Sequence, residues 1–213
     1  MQNIKDSRQV LKAKEYLCNP LYWDVVYSYM QVNSEWDGVQ GHPRIFPKRM
    51  ANFSKISREL NITRQTVSKR MSDLEDGQKN KDGLHLIKKL ENGDYELPIL
   101  SPSIATLMPK ETLRVLVSAF NEKTISIYVY LYGRWMASKE VPFKFTYSQL
   151  KTVIGLGTSS RSNDYIIKDI LNILIKLELV SLKLDAELSD GSYKTTYSVV
   201  QMGDTISDSL KSC

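Results

Sequence analysis

The sequence predicts a mainly helical α+β protein made of two tandem units, each a small set of helices closed by a β-hairpin. Three observations carry that expectation. The order helix, short extended piece, helix, turn, helix, hairpin runs once through residues 1–100 and again through 101–202. Asn92-Gly93 and Asp190-Gly191 each sit between segments that alternate apolar and polar residues, the pattern of a hairpin. With 213 residues the chain is long for one small domain and comfortable for two cores of roughly 100 residues each.

The elements follow in order. "DSRQVLKAKEYLCN" (6–19) reads as a helix capped by Asp6 or Ser7 and stopped by Pro20. "LYWDVVYSYMQV" (21–32) places Leu21, Val25 and Tyr29 beside Val26 and Met30, an apolar stripe suited to a core helix. A polar loop ends at Pro43, "RIF" is a short extended piece, and "NFSKISREL" is a second helix with Phe53, Ile56 and Leu60 inward. "LHLIKKL" reads as an edge strand with Leu84, Leu86 and Lys88 on one side, and "YELPIL" returns as its partner after "ENGD". Pro98, Pro102 and Pro109 place the junction between the units in "SPSIATLMPKE".

The second unit repeats the order. "LRVLVSAF" and "KTISIYVYLYGRWMASK" are helical, "VPFKF" is a short strand, and "TYSQLKTVIGL" is a helix ending at Gly155. "GTSSRSNDYIIKDILNILIKLEL" supplies Ser or Thr caps and then a long apolar helix. Two alternating strands around Asp190-Gly191 complete the unit, and 203–213 form a polar tail. This order of elements is that of a winged helix, with the hairpin as the wing.

The most informative stretch lies in the first unit, "LNITRQTVSKRMSDLE" (60–75). In a helix-turn-helix the first helix packs behind the second, whose N-terminal part enters the major groove of DNA. Ile56 and Leu60 face inward on the first helix, Asn61 suits a left-handed turn, Ile62 plugs the corner, and Thr63 caps the second helix. Val67, Met71 and Leu74 then recur inward. Arg64, Gln65, Thr66, Ser68, Lys69 and Ser72 are left facing outward. Arg pairs with guanine and Gln with adenine, Thr touches a thymine methyl, and Lys or Arg holds phosphates. The run "ISRELNITRQTVSKRM" resembles the widespread bacterial helix-turn-helix pattern, with Ser57 where alanine is common and Asn61 where glycine is common.

Charge converges on the same stretch. Residues 41–90 carry twelve Lys or Arg against five Asp or Glu, a net +7 in a chain whose total is +5. Concentrated basic charge is the footprint of phosphate binding, although a solvated basic face carries it too. Expected DNA contacts are therefore Arg64, Gln65, Thr66, Ser68, Lys69 and Arg70, with Lys55 and Arg58 as backbone anchors and Lys88 and Lys89 beside the wing. Arg70 stands on the flank of that set.

In the second unit the corresponding helix begins near "TSSRSNDY" and offers Arg161, Asn163 and Lys168 outward. Its apolar residues, Ile166 to Leu177, cover more than one helical face, so the helix is expected to be buried on two sides or paired with another chain. Packing or dimerisation is therefore placed ahead of DNA contact for this unit. The aromatic run Tyr128, Tyr130, Tyr132 and Trp135 is read as core rather than as a base-stacking platform.

Two winged helices in tandem, with "FTYSQLKTVIGLGTSSRSNDYIIKDILNILIKLELVSL" as the second, resemble the plasmid and phage replication initiators of bacteria. The resemblance implies that one winged helix serves self-association and the other reads repeated origin sites.

Other chemistry is set aside on composition. Cys18, Cys213, His42 and His85 form no spaced cluster, so neither a zinc site nor a disulfide framework is expected. "GLGTSS" lacks the Lys of a phosphate loop, and His85 has no triad partner, so no catalytic residues and no cofactor are expected. No apolar run spans a membrane and the N-terminus lacks a signal-peptide core, so a cytoplasmic protein is expected. The expected function is sequence-specific binding of double-stranded DNA by a homodimer, as a replication initiator ahead of a transcriptional regulator, with replication or transcription machinery as further partners. A protein-interaction module that binds no DNA is the alternative of another class.

Overall fold

A computed structural model describes residues 7–11, 25–39, 41–76, 85–100, 105–189 and 192–202. The chain is mainly helical α+β, with three antiparallel sheets among the described residues. Among the described residues no helix is long and apolar enough to cross a membrane.

The first unit is built from α1 (Val25–Asn33), α2 (Phe53–Leu60) and α3 (Arg64–Glu75) around a sheet of β2 (Arg44–Phe46), β3 (Lys88–Lys89) and β4 (Tyr95–Leu97). Strand β4 lies in the middle, paired with both neighbours. Helix α1 is buried along almost its whole length because α2, α3 and β2 of this unit cover it together with α4 (Lys110–Ala119), which packs on it most extensively. Tyr29 meets Phe46 edge to face at 6.1 Å, a favoured aromatic geometry.

The hairpin after α3 is a wing, but its turn departs from the two-residue form that Asn-Gly signals. Leu90 N–H donates to Asp94 O and Gly93 N–H to Leu90 O, which leaves a three-residue loop. Only Gly93 takes a positive φ there (+89°), the left-handed position that ends such a loop. A Cβ at Gly93 would lie 2.9 Å from Lys48 Cδ, so the wing is seated tightly on the turn before α2. Asp94 reinforces that seat by accepting a hydrogen bond from Lys48 N–H at 2.7 Å.

The second unit contains α5 (Glu122–Ala137), α6 (Tyr147–Val153) and α7 (Ser162–Lys176), with β6 (Phe143–Phe145), β7 (Val180–Ser189) and β8 (Ser192–Met202) in the order β6-β8-β7. The expected turn at Asp190-Gly191 lies outside the described residues, as do Leu21, Leu84 and the tail 203–213. Thr146 and Gln149 form a reciprocal capping box that starts α6 directly after β6. Tyr128, Tyr130 and Tyr132 are buried, and Trp135 packs partly buried against the same core.

Two expectations fail at the ends of the first unit. Residues 7–11 form a strand, β1, and not the start of a helix; β1 pairs antiparallel with β5 (Ala105–Pro109). Backbone hydrogen bonds from a partner almost a hundred residues away override a weak local helical pattern. The proline-marked stretch 98–109 accordingly ends in a paired strand that leads into α4 (Lys110–Ala119). The second failure is the alternation of "LHLIKKL": Leu86 and Ile87 are both fully buried, and only Lys88 and Lys89 form strand. Leu86 and Ile87 donate their N–H groups to Leu74 O at 3.0 and 3.3 Å, so a helix end rather than a strand partner holds them.

The β1–β5 ladder and α4 join the units. Helix α4 packs on α1 and α2, and α5 packs on β1, α1 and β5. Arg8, buried on β1, donates from Nε to Gln31 O at 2.6 Å, and Tyr132 donates to Leu107 O at 3.1 Å. One continuous apolar core runs through both units.

Candidate nucleic-acid interface

Sequence and structure agree closely at the corner between α2 and α3. Asn52 starts α2, its side chain accepting from Lys55 N–H at 3.0 Å. Asn61 ends the helix in the left-handed region (φ 51°, ψ 43°), a conformation asparagine tolerates better than most residues. Ser57 contributes what alanine there could not: its hydroxyl donates to Ile62 O at 2.6 Å, across the corner. Thr63 then caps α3 by accepting from Thr66 N–H at 3.1 Å. Replacing Thr63 by Ala is expected to cost about 1 kcal/mol in chemical denaturation, the usual value of such a cap; an unchanged midpoint would show that the corner does not depend on it.

Below the corner, Val67, Met71 and Leu74 are buried and fix the roll of α3. Arg64, Gln65, Ser68, Lys69 and Ser72 consequently face solvent. Arg58 on α2 and Lys88 and Lys89 on the wing are exposed as well. Among the described residues none of Arg58, Arg64, Lys69, Lys88 and Lys89 has an ion-pair partner, so their charge is available to an external anion. Leu74 ties the two parts together, since its carbonyl accepts from both residues that lead into the wing. Arg64 and Leu74 are ten residues apart, roughly 15 Å along the helix axis. The wing cations therefore stand at the opposite end of α3 from Arg64 and Gln65, suited to a neighbouring run of phosphates.

Three expected contacts do not join this set. Lys55 pairs with Glu59 at 3.8 Å along α2. Arg70 turns back to Glu122 on α5 at 3.2 Å, with about a quarter of its side chain exposed, and so links α3 to the second unit. Thr66 is half-buried, and its hydroxyl lies 2.8 Å from that of Thr63.

In the second unit the corner between α6 and α7 is longer and built differently. Gly155 (φ +69°) ends α6, and α7 begins only at Ser162. The expected Ser or Thr cap is absent: Arg161 holds the cap position with helical backbone and no capping bond. The hydroxyls of Ser160 and Ser162 bond each other at 2.6 Å instead. Arg161 and Lys168 are exposed, whereas Asn163 donates to Gly157 O at 2.9 Å and is engaged in the corner.

Helix α7 buries Ile167, Ile170, Leu171 and Leu174 on one side, with Ile166 packed partly buried beside them. Ile173 and Ile175 remain 40% and 42% exposed on opposite flanks. Of the two expected alternatives, burial on two sides is therefore not found, and pairing with another chain is the one left. The buried stripes of the two helices share one spacing, Val67, Met71, Leu74 against Ile167, Leu171, Leu174. Aligned on it, Tyr165 takes the place of Gln65, Lys168 of Ser68 and Asp169 of Lys69. Tyr165, 71% exposed, is the outward residue that reading for polar groups passes over, and the equal spacing of the anchors is the signal that finds it.

Two helix-turn-helix corners, each followed by a β-hairpin that pairs with a strand ahead of it, define a tandem winged-helix protein of the α+β class. No protein-family model matches the chain, and no curated protein matches it. Among solved structures it is similar to one described as "Crystal structure of Pi initiator protein in complex with iteron DNA", at 13% identity and a TM-score of 0.44 over 92% of this chain and 98% of that one.

Proposed function

We propose that this protein binds double-stranded DNA in a sequence-specific manner and carries out no catalytic step. The observation that carries the reading is the solvent face of α3, where Arg64, Gln65, Ser68 and Lys69 stand exposed along the capped first half of a helix fixed by Val67, Met71 and Leu74. Arg64 and Gln65 have the donors and acceptors to read base edges; Lys69, Arg58, Lys88 and Lys89 supply phosphate contacts, and the exposed Arg161 and Lys168 offer a second set from the other unit. The +7 balance of residues 41–90 supports the same assignment.

Within that class we place a plasmid or phage replication initiator, acting at repeated origin sites in the cytoplasm, ahead of a winged-helix transcriptional regulator. Support comes from the order of the elements and the texture of the second unit. A homodimer is part of the proposal, supported by the large apolar side chains that the later turns of α7 and β7 leave exposed, Ile173, Ile175 and Leu184. Titration with random and genomic duplexes at several salt concentrations tests the reading. Binding that tightens on a subset of fragments and weakens linearly in log salt is expected. Negligible affinity with no salt dependence would leave the interaction module as the better account.

A further inference from the structure

We propose that Lys151 is the positioning residue of the second helix-turn-helix, setting where α7 begins and thereby how Arg161 and Lys168 are presented to DNA; this rests on the DNA-binding reading above. Lys151 lies on α6 with only 4% of its side chain exposed. Its ammonium has three protons and three acceptors within reach: Thr158 O at 3.0 Å, Ser160 O at 2.9 Å and Asp164 Oδ1 at 2.6 Å. A buried ammonium is costly unless every donor is used, and here every donor is matched.

The three acceptors explain why a charge is kept in that place. Thr158 and Ser160 belong to the corner, and Asp164 is in the first turn of α7. The first helix-turn-helix passes from α2 to α3 in three residues, held by the left-handed Asn61 and the cap of Thr63. The second takes eight residues, 154–161, and its helix start has no side-chain cap. A longer, uncapped corner has more conformations to lose on ordering, and one cation bound to both the corner and the helix removes that freedom. Asn163, through Gly157 O, adds a second tie between the same two segments. Arg161 lies between Ser160 and Asp164, both held by the ammonium, so its direction follows from Lys151. Lys168 follows through the helix, one turn beyond Asp164.

The test uses the full chain and a genomic duplex selected by the wild type. Lys151→Met removes the charge at similar length, Lys151→Arg keeps it, and Asp164→Asn removes the one charged acceptor while leaving Lys151 in place. Hydroxyl-radical footprints are taken beside those of Arg161→Ala, Lys168→Ala and Arg64→Ala. Lys151→Met is expected to bind about tenfold more weakly, the scale of one charge-assisted hydrogen bond, because Arg161 and Lys168 are misdirected but not removed. Its footprint should be lost at the nucleotides that Arg161→Ala and Lys168→Ala expose and kept at those assigned by Arg64→Ala. Asp164→Asn should show a smaller loss in the same place, and Lys151→Arg should restore much of the protection. Uniform fading of the footprint in step with thermal unfolding, with Asp164→Asn unaffected, would overturn positioning in favour of a purely structural role. A wild type that binds and is weakened by Arg64→Ala, but is indifferent to Lys151→Met, Asp164→Asn and Arg161→Ala, overturns this inference alone. A wild type that binds no duplex overturns the DNA reading and this inference together.

Discussion

Replacing Arg64 and Lys69 together by alanine is expected to weaken binding to a selected duplex by about two orders of magnitude, from one lost bidentate base contact and one lost phosphate contact. Both side chains are exposed and without an ion-pair partner among the described residues, so their removal disturbs little else in the free protein. Fluorescence anisotropy across a salt series separates the two losses. Losing the Lys69 contact should reduce the slope of log K against log salt by about one, while Arg64 should act mainly on the ratio of selected to random duplex. If the double variant matches the wild type in affinity and in slope, α3 is not the reading helix.

Leu74→Ala is expected to destabilise the protein by about 2–5 kcal/mol, the range for truncating a fully buried leucine. Leu74 is completely buried at the end of α3, and its carbonyl receives both N–H groups that bring the chain into the wing. Truncation empties the space under that junction while leaving the hydrogen bonds formally possible. Urea denaturation measures the loss directly. A change below about 1 kcal/mol would mean that the junction collapses around the smaller side chain. DNA binding measured where the variant remains folded should weaken mainly through the wing, because Thr63 still caps the other end of the helix.

The first corner was legible because each of its requirements is local. Asn61, Thr63 and the 67–71–74 stripe act within one or two turns of backbone, so spacing alone identifies them. The second corner was not legible in the same way. Its Ser and Thr residues look like caps, yet the group that organises it is a lysine seven to thirteen residues upstream of its acceptors, in a position read as ordinary helix. Strand β1 was misread for a related reason: nothing in "SRQVL" indicates its partner at Ala105–Pro109. Arg70 illustrates the limit for charge, since a basic flank residue is indistinguishable in sequence from one that turns back to Glu122.

The β1–β5 ladder has a consequence for how the chain acquires its shape during synthesis. Ser7–Leu11 leaves the ribosome before its partner, and Ala105–Pro109 follows only after almost a hundred further residues. For that interval the first winged helix has its α2–α3 corner, whose contacts are local, but lacks the strand partner and the α4 surface that close its core. Joining segments so distant in sequence is slow relative to forming a helix or a hairpin. The α2–α3 corner can thus form before the ladder that ties it to the rest of the chain, and a fragment ending at Leu100 leaves β1 as an open edge available to other strands.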